Sequence, residues 1–235
     1  MRKAWPLVLV LVLLLCGAFV WRGRVQLSHA AVPQVYVGLG ASDAVGVGAM
    51  RPTSDGWVPL VAAGLPEGTP LVNLGVSGAT LADVLADQLP VARDAAPRWV
   101  TIWPGPNDFR NGVPLSTFAA QLDQLLAALA PDDVNRSRTV AVVTMPDLRV
   151  LPSFSRADAA TLDAQVREWN AAIAATVARH ASYAVLVDLY GASDEFAAHP
   201  EYLSGDGFHP SSAGYRRIAD LTLDTLRRHD PALAR

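Results

Sequence analysis

A parallel β-sheet covered on both faces by helices is the fold class this sequence predicts, and three observations predict it. Short apolar, β-branched runs recur along the chain, helical periodicities lie between them, and the loops after the runs are rich in glycine and unpaired polar residues. Strands that alternate with helices form parallel sheets, because each crossover helix returns the chain to run in the same direction and covers a face on the way.

The strand candidates are Val35 to Leu39, Leu71 to Leu74, Trp99 to Trp103, Thr139 to Thr144 and Ala184 to Asp188. Short helices are predicted from about Gly56 to Gly64 and from Thr80 to Leu89. From Ser116 to Ala130, Phe118, Leu122, Leu125 and Leu129 share one side, and Pro131 ends the helix. A longer helix follows Ser155, which with Asp158 makes a capping-box-like start. Its apolar positions Leu162, Val166, Trp169, Ile173 and Val177 advance by threes and fours, the spacing of a core-facing stripe. Ser212 to Arg228 forms the last helix. No internal repeat and no long linker interrupts the series.

The chain has 235 residues, of which 51% are hydrophobic and 17% charged, enough to bury one full core. Its formal net charge is -3, and Arg2, Lys3, Arg22 and Arg24 all lie in the first thirty residues. Without these four, 15 basic residues face 22 acidic ones. That balance lacks the basic footprint that a phosphate backbone requires, so nucleic acid is excluded as an expected partner. The single cysteine, Cys16, leaves the chain with no disulfide and no thiolate cluster for a metal.

Residues 1–30 read as targeting sequence. Arg2 and Lys3 precede an uncharged run from Ala4 to Trp21, which fits an export signal and is also close to the roughly 20 residues that span a bilayer. Arg22 and Arg24 favour an uncleaved anchor, whereas Ser28-His29-Ala30 offers small residues for a signal peptidase and a mature start at Ala31. Leu15 before Cys16 disfavours lipidation. Both readings place residues 31–235, the folded domain, outside the cytoplasm, either secreted or attached to a membrane through residues 4–21.

In an open α/β sheet, ligands collect beyond the carboxyl ends of the strands. The segments there are Gly40-Ala41-Ser42-Asp43, Gly75-Val76-Ser77-Gly78, Pro104-Gly105-Pro106-Asn107-Asp108, Met145-Pro146-Asp147 and a longer stretch reaching Asp206-Gly207-Phe208-His209-Pro210. Ser42 at a strand-to-helix turn has the placement of a nucleophile, although a serine there is commonly a helix cap. His209 lies three residues after Asp206, so the carboxylate can hold one ring nitrogen while the other accepts a proton. Gly75 and Asn107 follow strand ends and can aim a backbone and a side-chain amide at a developing oxyanion, with the amide of Ser42 as a third donor. His180 and His229 end helices and His199 lies in a Pro-flanked segment, so none competes with His209.

Gly40-Ala41-Ser42, Asn73-Leu74-Gly75, Gly105-Pro106-Asn107-Asp108 and Asp206-Gly207-Phe208-His209 together, and in this order, resemble the four sequence blocks of the SGNH (GDSL-like) hydrolase family. The resemblance covers Val35 to Arg228. It implies a flavodoxin-like, three-layer α/β/α domain with a doubly wound, five-stranded parallel sheet. It also implies a lipase or esterase with Ser42 as nucleophile, His209 as base, Asp206 as its partner and Ser42, Gly75 and Asn107 as the oxyanion hole. One departure stands out, since Ala41 occupies the position where the family usually has Asp, and Asp43 follows the serine instead.

The expected activity is hydrolysis of an acetyl ester, a lysophospholipid or a small acyl ester through an acyl-enzyme, a route that requires neither metal nor cofactor. The alternatives are an acyltransferase on a cell-envelope glycan, in which a sugar hydroxyl intercepts the acyl-enzyme, and a decayed domain that only binds its ligand. The segments Gly46 to Trp57 and Leu148 to Phe154 are expected to border the acyl pocket, with Trp103, Phe109, Met145 and Phe208 as candidate liners.

Overall fold

A computed structural model describes residues 34–132 and 137–233. The expected export or anchoring segment, with Cys16, lies outside the described residues. Five strands, β1 (Tyr36–Leu39), β2 (Leu71–Asn73), β3 (Trp99–Ile102), β4 (Thr139–Val143) and β5 (Ala184–Val187), each fall inside an expected run. They pair only in parallel, in the order β2-β1-β3-β4-β5. The helices in chain order are α1 (Ser42–Val45), α2 (Pro52–Asp55), α3 (Trp57–Ala63), α4, α5 (Pro106–Arg110), α6 (Leu115–Ala128), α7 (Ala159–Arg179), α8 (Ser193–Ala198) and α9 (Ser212–His229). Helix α4 joins the stretches Leu81–Asp83, Val84–Gln88 and Leu89–Asp94 end to end.

Period-two alternation gives the sheet two apolar faces. Val37, Leu39, Val100, Ile102, Val140 and Val142 pack under α4, α6 and α7, against side chains such as Phe118, Leu122, Val166 and Trp169. Tyr36, Trp99, Ala141 and Val143 pack under α3 and α9, against Trp57, Val61, Ile218 and Leu226. This is the three-layer arrangement. Each fully buried aliphatic or aromatic side chain contributes roughly 1.5–3 kcal/mol. The second layer sits closest at Gly38, where a Cβ would lie 2.5 Å from Val58 Cγ1, so β1 carries glycine where α3 crosses it.

Because β1 is flanked by β2 on one side and β3 on the other, the chain leaves β1 and β3 in opposite directions, and the loops after these strands open a crevice. Ser42 and Asn107 stand on either side of that switch point. At the opposite end of the sheet, Asp230 Oδ2 accepts from the buried Arg98 guanidinium and, over 2.9 Å, from Trp99 Nε1, closing α9 onto β3.

Two helix expectations are corrected. The long helix starts at Ala159 with Asp158 as its cap, the carboxylate accepting from Thr161 N–H over 2.9 Å, and Ser155 lies outside it in a turn. Asp158 alone satisfies the first-turn donor, so no reciprocal partner is needed. Helix α4 begins after Thr80 as expected but runs past Leu89 to Asp94, with a π-helical middle, Val84–Gln88. The N–H of Leu89 reaches back to the Val84 carbonyl, and the next residue, Pro90, has no N–H to donate. The register therefore returns from π to α at the one residue where no donor is lost.

Candidate active site

Ser42 is delivered by β1 through two residues. Gly40 has φ +141°, a conformation that costs little only for glycine, and Ala41 then turns the chain so that Ser42 is the first residue of α1. That helix lasts one turn. Gly46, at φ +86°, ends it by donating to the carbonyls of Ser42 and Asp43, and a Cβ there would meet the Pro52 carbonyl at 2.9 Å.

His209 arrives from the other end of the chain, on the loop before α9, and its Nε2 lies 2.8 Å from Ser42 Oγ. Its Nδ1 lies 2.6 Å from Asp206 Oδ2. Asp206 Oδ1 accepts from Ser204 Oγ at 2.8 Å and from the N–H groups of Phe208 and His209 at 2.9 Å each. Burial pushes the Asp206 carboxyl up, but these bonds, the His209 side chain first, outweigh it and hold the group well below the usual carboxylate range. An ionised carboxylate only accepts, so Nδ1 is the donor, and in the neutral ring Nε2 is left as the acceptor facing Ser42.

The two remaining expected residues are placed differently. Asn107, at the start of α5, donates Nδ2 to the Ala79 carbonyl over 2.9 Å and faces the same cavity as Ser42 and His209. Beside it, the buried Asp108 accepts from Leu81 N–H at 3.0 Å, so α5 grips the loop that enters α4 at two points. Gly75 lies against α1 and does not line the cavity, and its N–H donates to Asn73 Oδ1 over 3.1 Å. Asn73 in turn donates to the Ala44 carbonyl over 2.7 Å. A Cβ at Gly75 would stand 2.7 Å from that of Ala44, which leaves room only for glycine.

The acceptor missing at Ala41 is supplied from the far side of the serine, where Asp43 Oδ1 accepts from Ala41 N–H at 3.3 Å. Asp43 Oδ2 is buried beside the Trp57 indole of α3, the side chain that helps to hold its ionised form. Burial pushes this carboxyl up to about 7, and the backbone bonds it accepts offset only part of that. Spacing in the sequence gives no signal for Asp43, because its environment is made by the α3 layer.

A cavity of about 410 Å³ opens onto Ser42, Asn107 and His209. Its walls are mainly apolar, with Leu81, Val84, Ile102, Leu151, Phe196 and Phe208 among them. Val150 to Pro152 border it as expected of the Leu148 to Phe154 segment, and so do Trp103 and Phe208. Phe109 and Met145 do not; Met145 is fully buried, and Phe109 packs edge-on against Trp169. The segment Gly46 to Trp57 also contributes nothing to the lining, which on this side stops at Asp43. Its Val47 carbonyl is held by Tyr215 Oη and its Met50 N–H by Ser212, which fold it onto α9. Ala79 to Val84 and Ser193 to Leu203 supply those walls instead, through residues that carry no chemical motif.

The profile of the GDSL-like Lipase/Acylhydrolase family matches residues 39–217. The chain belongs to that family. It is accordingly a hydrolase that acts on ester bonds. Solved structures show the same fold. A lipase/acylhydrolase from Enterococcus faecalis is 24% identical, with 83% of this hydrolase and 96% of that chain covered at a TM-score of 0.65. A family 3 carbohydrate esterase from Clostridium thermocellum is 20% identical, covering 86% and 98% at 0.64. An acetylxylan esterase from Geobacillus stearothermophilus is 21% identical, covering 82% and 94% at 0.66. A comparison with curated protein sequences returned no match.

Proposed function

We propose that this hydrolase is a serine esterase in which Ser42 forms an acyl-enzyme. The observation that carries the reading is the line Ser42 Oγ, His209 Nε2, His209 Nδ1 and Asp206 Oδ2, with both contacts within hydrogen-bond reach and the far carboxylate ionised. His209 Nε2 takes the Ser42 proton as Oγ bonds to the ester carbonyl carbon. The carbonyl oxygen becomes an oxyanion, facing the Ser42 amide and the second N–H of Asn107 Nδ2. Gly75 joins as a donor once its N–H is shared with or released from Asn73. Collapse of the intermediate breaks the bond to the alcohol, which leaves with the proton from His209. Water, deprotonated by the same ring, then releases the acid and restores Ser42.

The size and apolar walls of the cavity favour an acyl group of several carbons over acetyl. An apolar cavity of roughly 150 Å³ accommodates benzene, so a methyl group would leave most of this chamber unfilled, and each further buried methylene adds about 0.8 kcal/mol of binding. The basic and then apolar N-terminal residues support action outside the cytoplasm. The test is hydrolysis of p-nitrophenyl esters of graded length by residues 31–235, beside Ser42→Ala and His209→Ala. The reading expects activity that rises from acetyl to medium chains and vanishes in both variants. A folded wild type that neither hydrolyses these esters nor labels at Ser42 with a fluorophosphonate would refute it.

A further inference from the structure

Gln88 is buried in the π-helical middle of α4, and its side chain reaches the loop that carries Ser42. Gly40 N–H donates to Gln88 Oε1 over 3.0 Å, and Gln88 Nε2 donates to the Gly40 carbonyl over 2.9 Å. Only one orientation of the amide satisfies both groups. The two bonds grip Gly40 on either side of its Cα, where its φ of +141° leaves the backbone with little intrinsic preference of its own.

The same carbonyl accepts a second bond, from Val76 N–H over 3.2 Å, so it also joins the loop carrying Gly75 to the loop carrying Ser42. At the other end of the same peptide group, Ala41 N–H is held by Asp43. The Gly40–Ala41 peptide plane is thus fixed at its oxygen by Gln88 and at its nitrogen by Asp43. The plane after it bears the N–H of Ser42. A π turn widens the helix by one residue and recurs at functional sites. In α4 it is the turn that ends on Gln88.

We propose that Gln88 is a positioning residue for the nucleophile loop: its amide sets the Gly40–Ala41 peptide, and through it the direction of the Ser42 amide and the seating of Ser42 Oγ beside His209. The role rests on the esterase reading above, in which those two atoms of Ser42 act on the ester. Loss of such a constraint displaces reacting atoms by a fraction of an ångström to an ångström, a change that costs up to about a hundredfold in rate.

The experiment compares kcat and KM of the wild type, Gln88→Met, Gln88→Glu and Leu89→Ala on the best p-nitrophenyl ester, with thermal midpoints measured in parallel. Methionine keeps the shape of the side chain without either hydrogen bond, and Leu89 is a core residue of α4 outside the cavity. The expected result is a ten- to hundredfold lower kcat in Gln88→Met with KM within about twofold, while Leu89→Ala lowers the midpoint and keeps its kcat. Gln88→Glu retains the acceptor for Gly40 N–H; protonated it also donates in place of Nε2, and ionised it repels the Gly40 carbonyl, so its kcat relative to wild type falls as pH rises. A kcat within twofold of wild type in a folded Gln88→Met overturns the proposal, and so does an equal loss of kcat in Leu89→Ala. Should Gln88→Met not fold, a Gln88→Glu whose kcat tracks the wild type from pH 6 to pH 10 overturns it instead. A wild type that neither turns over nor labels refutes the esterase reading and takes this role with it, whereas an active wild type with active Gln88 variants removes the positioning role alone.

Discussion

His209 Nε2 stands 2.8 Å from Ser42 Oγ across 167 residues of sequence, and Asp206, three residues before His209, fixes which ring nitrogen faces the serine. His209→Gln should lower kcat by several orders of magnitude, since an amide cannot take up the serine proton. Near-normal turnover in a folded His209→Gln would count against His209 as base.

Asp206→Asn should leave the loop folded, because an amide oxygen still accepts from Phe208 and His209 N–H, but it no longer dictates the tautomer. We expect kcat to drop by roughly 10³- to 10⁴-fold with little change in KM. The carboxyl also has a stability signature. Its folded value lies below its ordinary one, so its contribution is present above the ordinary carboxylate range and is lost as pH falls through the folded value. Thermal midpoints of wild type and variant should therefore converge in strong acid.

Asp43 works with the opposite sign. Its value is raised from 3.8 to about 7, so the folded chain binds more protons than the unfolded one across that window. Stability is then highest at the acid side and declines as pH rises from about 4 to about 7, levelling off above. Asp43→Asn should remove this slope, its stability relative to wild type improving by a few kcal/mol between those limits, because each tenfold difference in proton affinity is worth about 1.4 kcal/mol. Urea titrations at pH 4, 6 and 8 would measure it, and a constant difference would refute the assignment.

Asn107→Ala should cost about a hundred- to thousandfold in kcat, the usual loss for one oxyanion donor. Near-normal turnover would remove Asn107 from the mechanism and leave its bond to Ala79 as a purely structural tie.

Gly75→Ala tests a steric claim. The new Cβ would sit 2.7 Å from Ala44 Cβ and 2.9 Å from Val45 N, both in α1. Accommodating it should cost about 1–3 kcal/mol of stability and move α1, lowering kcat as well. An unchanged midpoint would mean that the contact is looser than described.

The five strands and the four chemical blocks were legible because parallel strands buried on both faces are uninterrupted apolar runs, and because each block follows one of them. The Asp206–His209 pairing was legible from a three-residue spacing within one loop. What stayed hidden arises from long-range contact. Gln88 reads as an ordinary polar helix residue until α4 brings it under β1, 48 residues away. Asp43 reads as a first-turn acid until the α3 layer buries it. The engagement of Gly75 by Asn73, and the walls lent by Ser193 to Leu203, likewise depend on where apolar and amide groups meet rather than on motif spacing. Ser155 and Asp158, three residues apart, have the spacing of a capping box, but Asp158 satisfies that end of the helix by itself.

The strand order carries a kinetic consequence. Ser42 leaves the second strand position of the sheet, and His209 follows β5 at the far edge, so the two atoms meet only after every crossover has closed. Parallel pairing is dominated by contacts distant in sequence and forms slowly. A chain that ends before the last loop contains all five strands and still lacks His209, the side chain that Ser42 Oγ contacts. During refolding, recovery of ester hydrolysis should therefore trail the recovery of helical and strand signals, making turnover a stringent reporter of complete assembly.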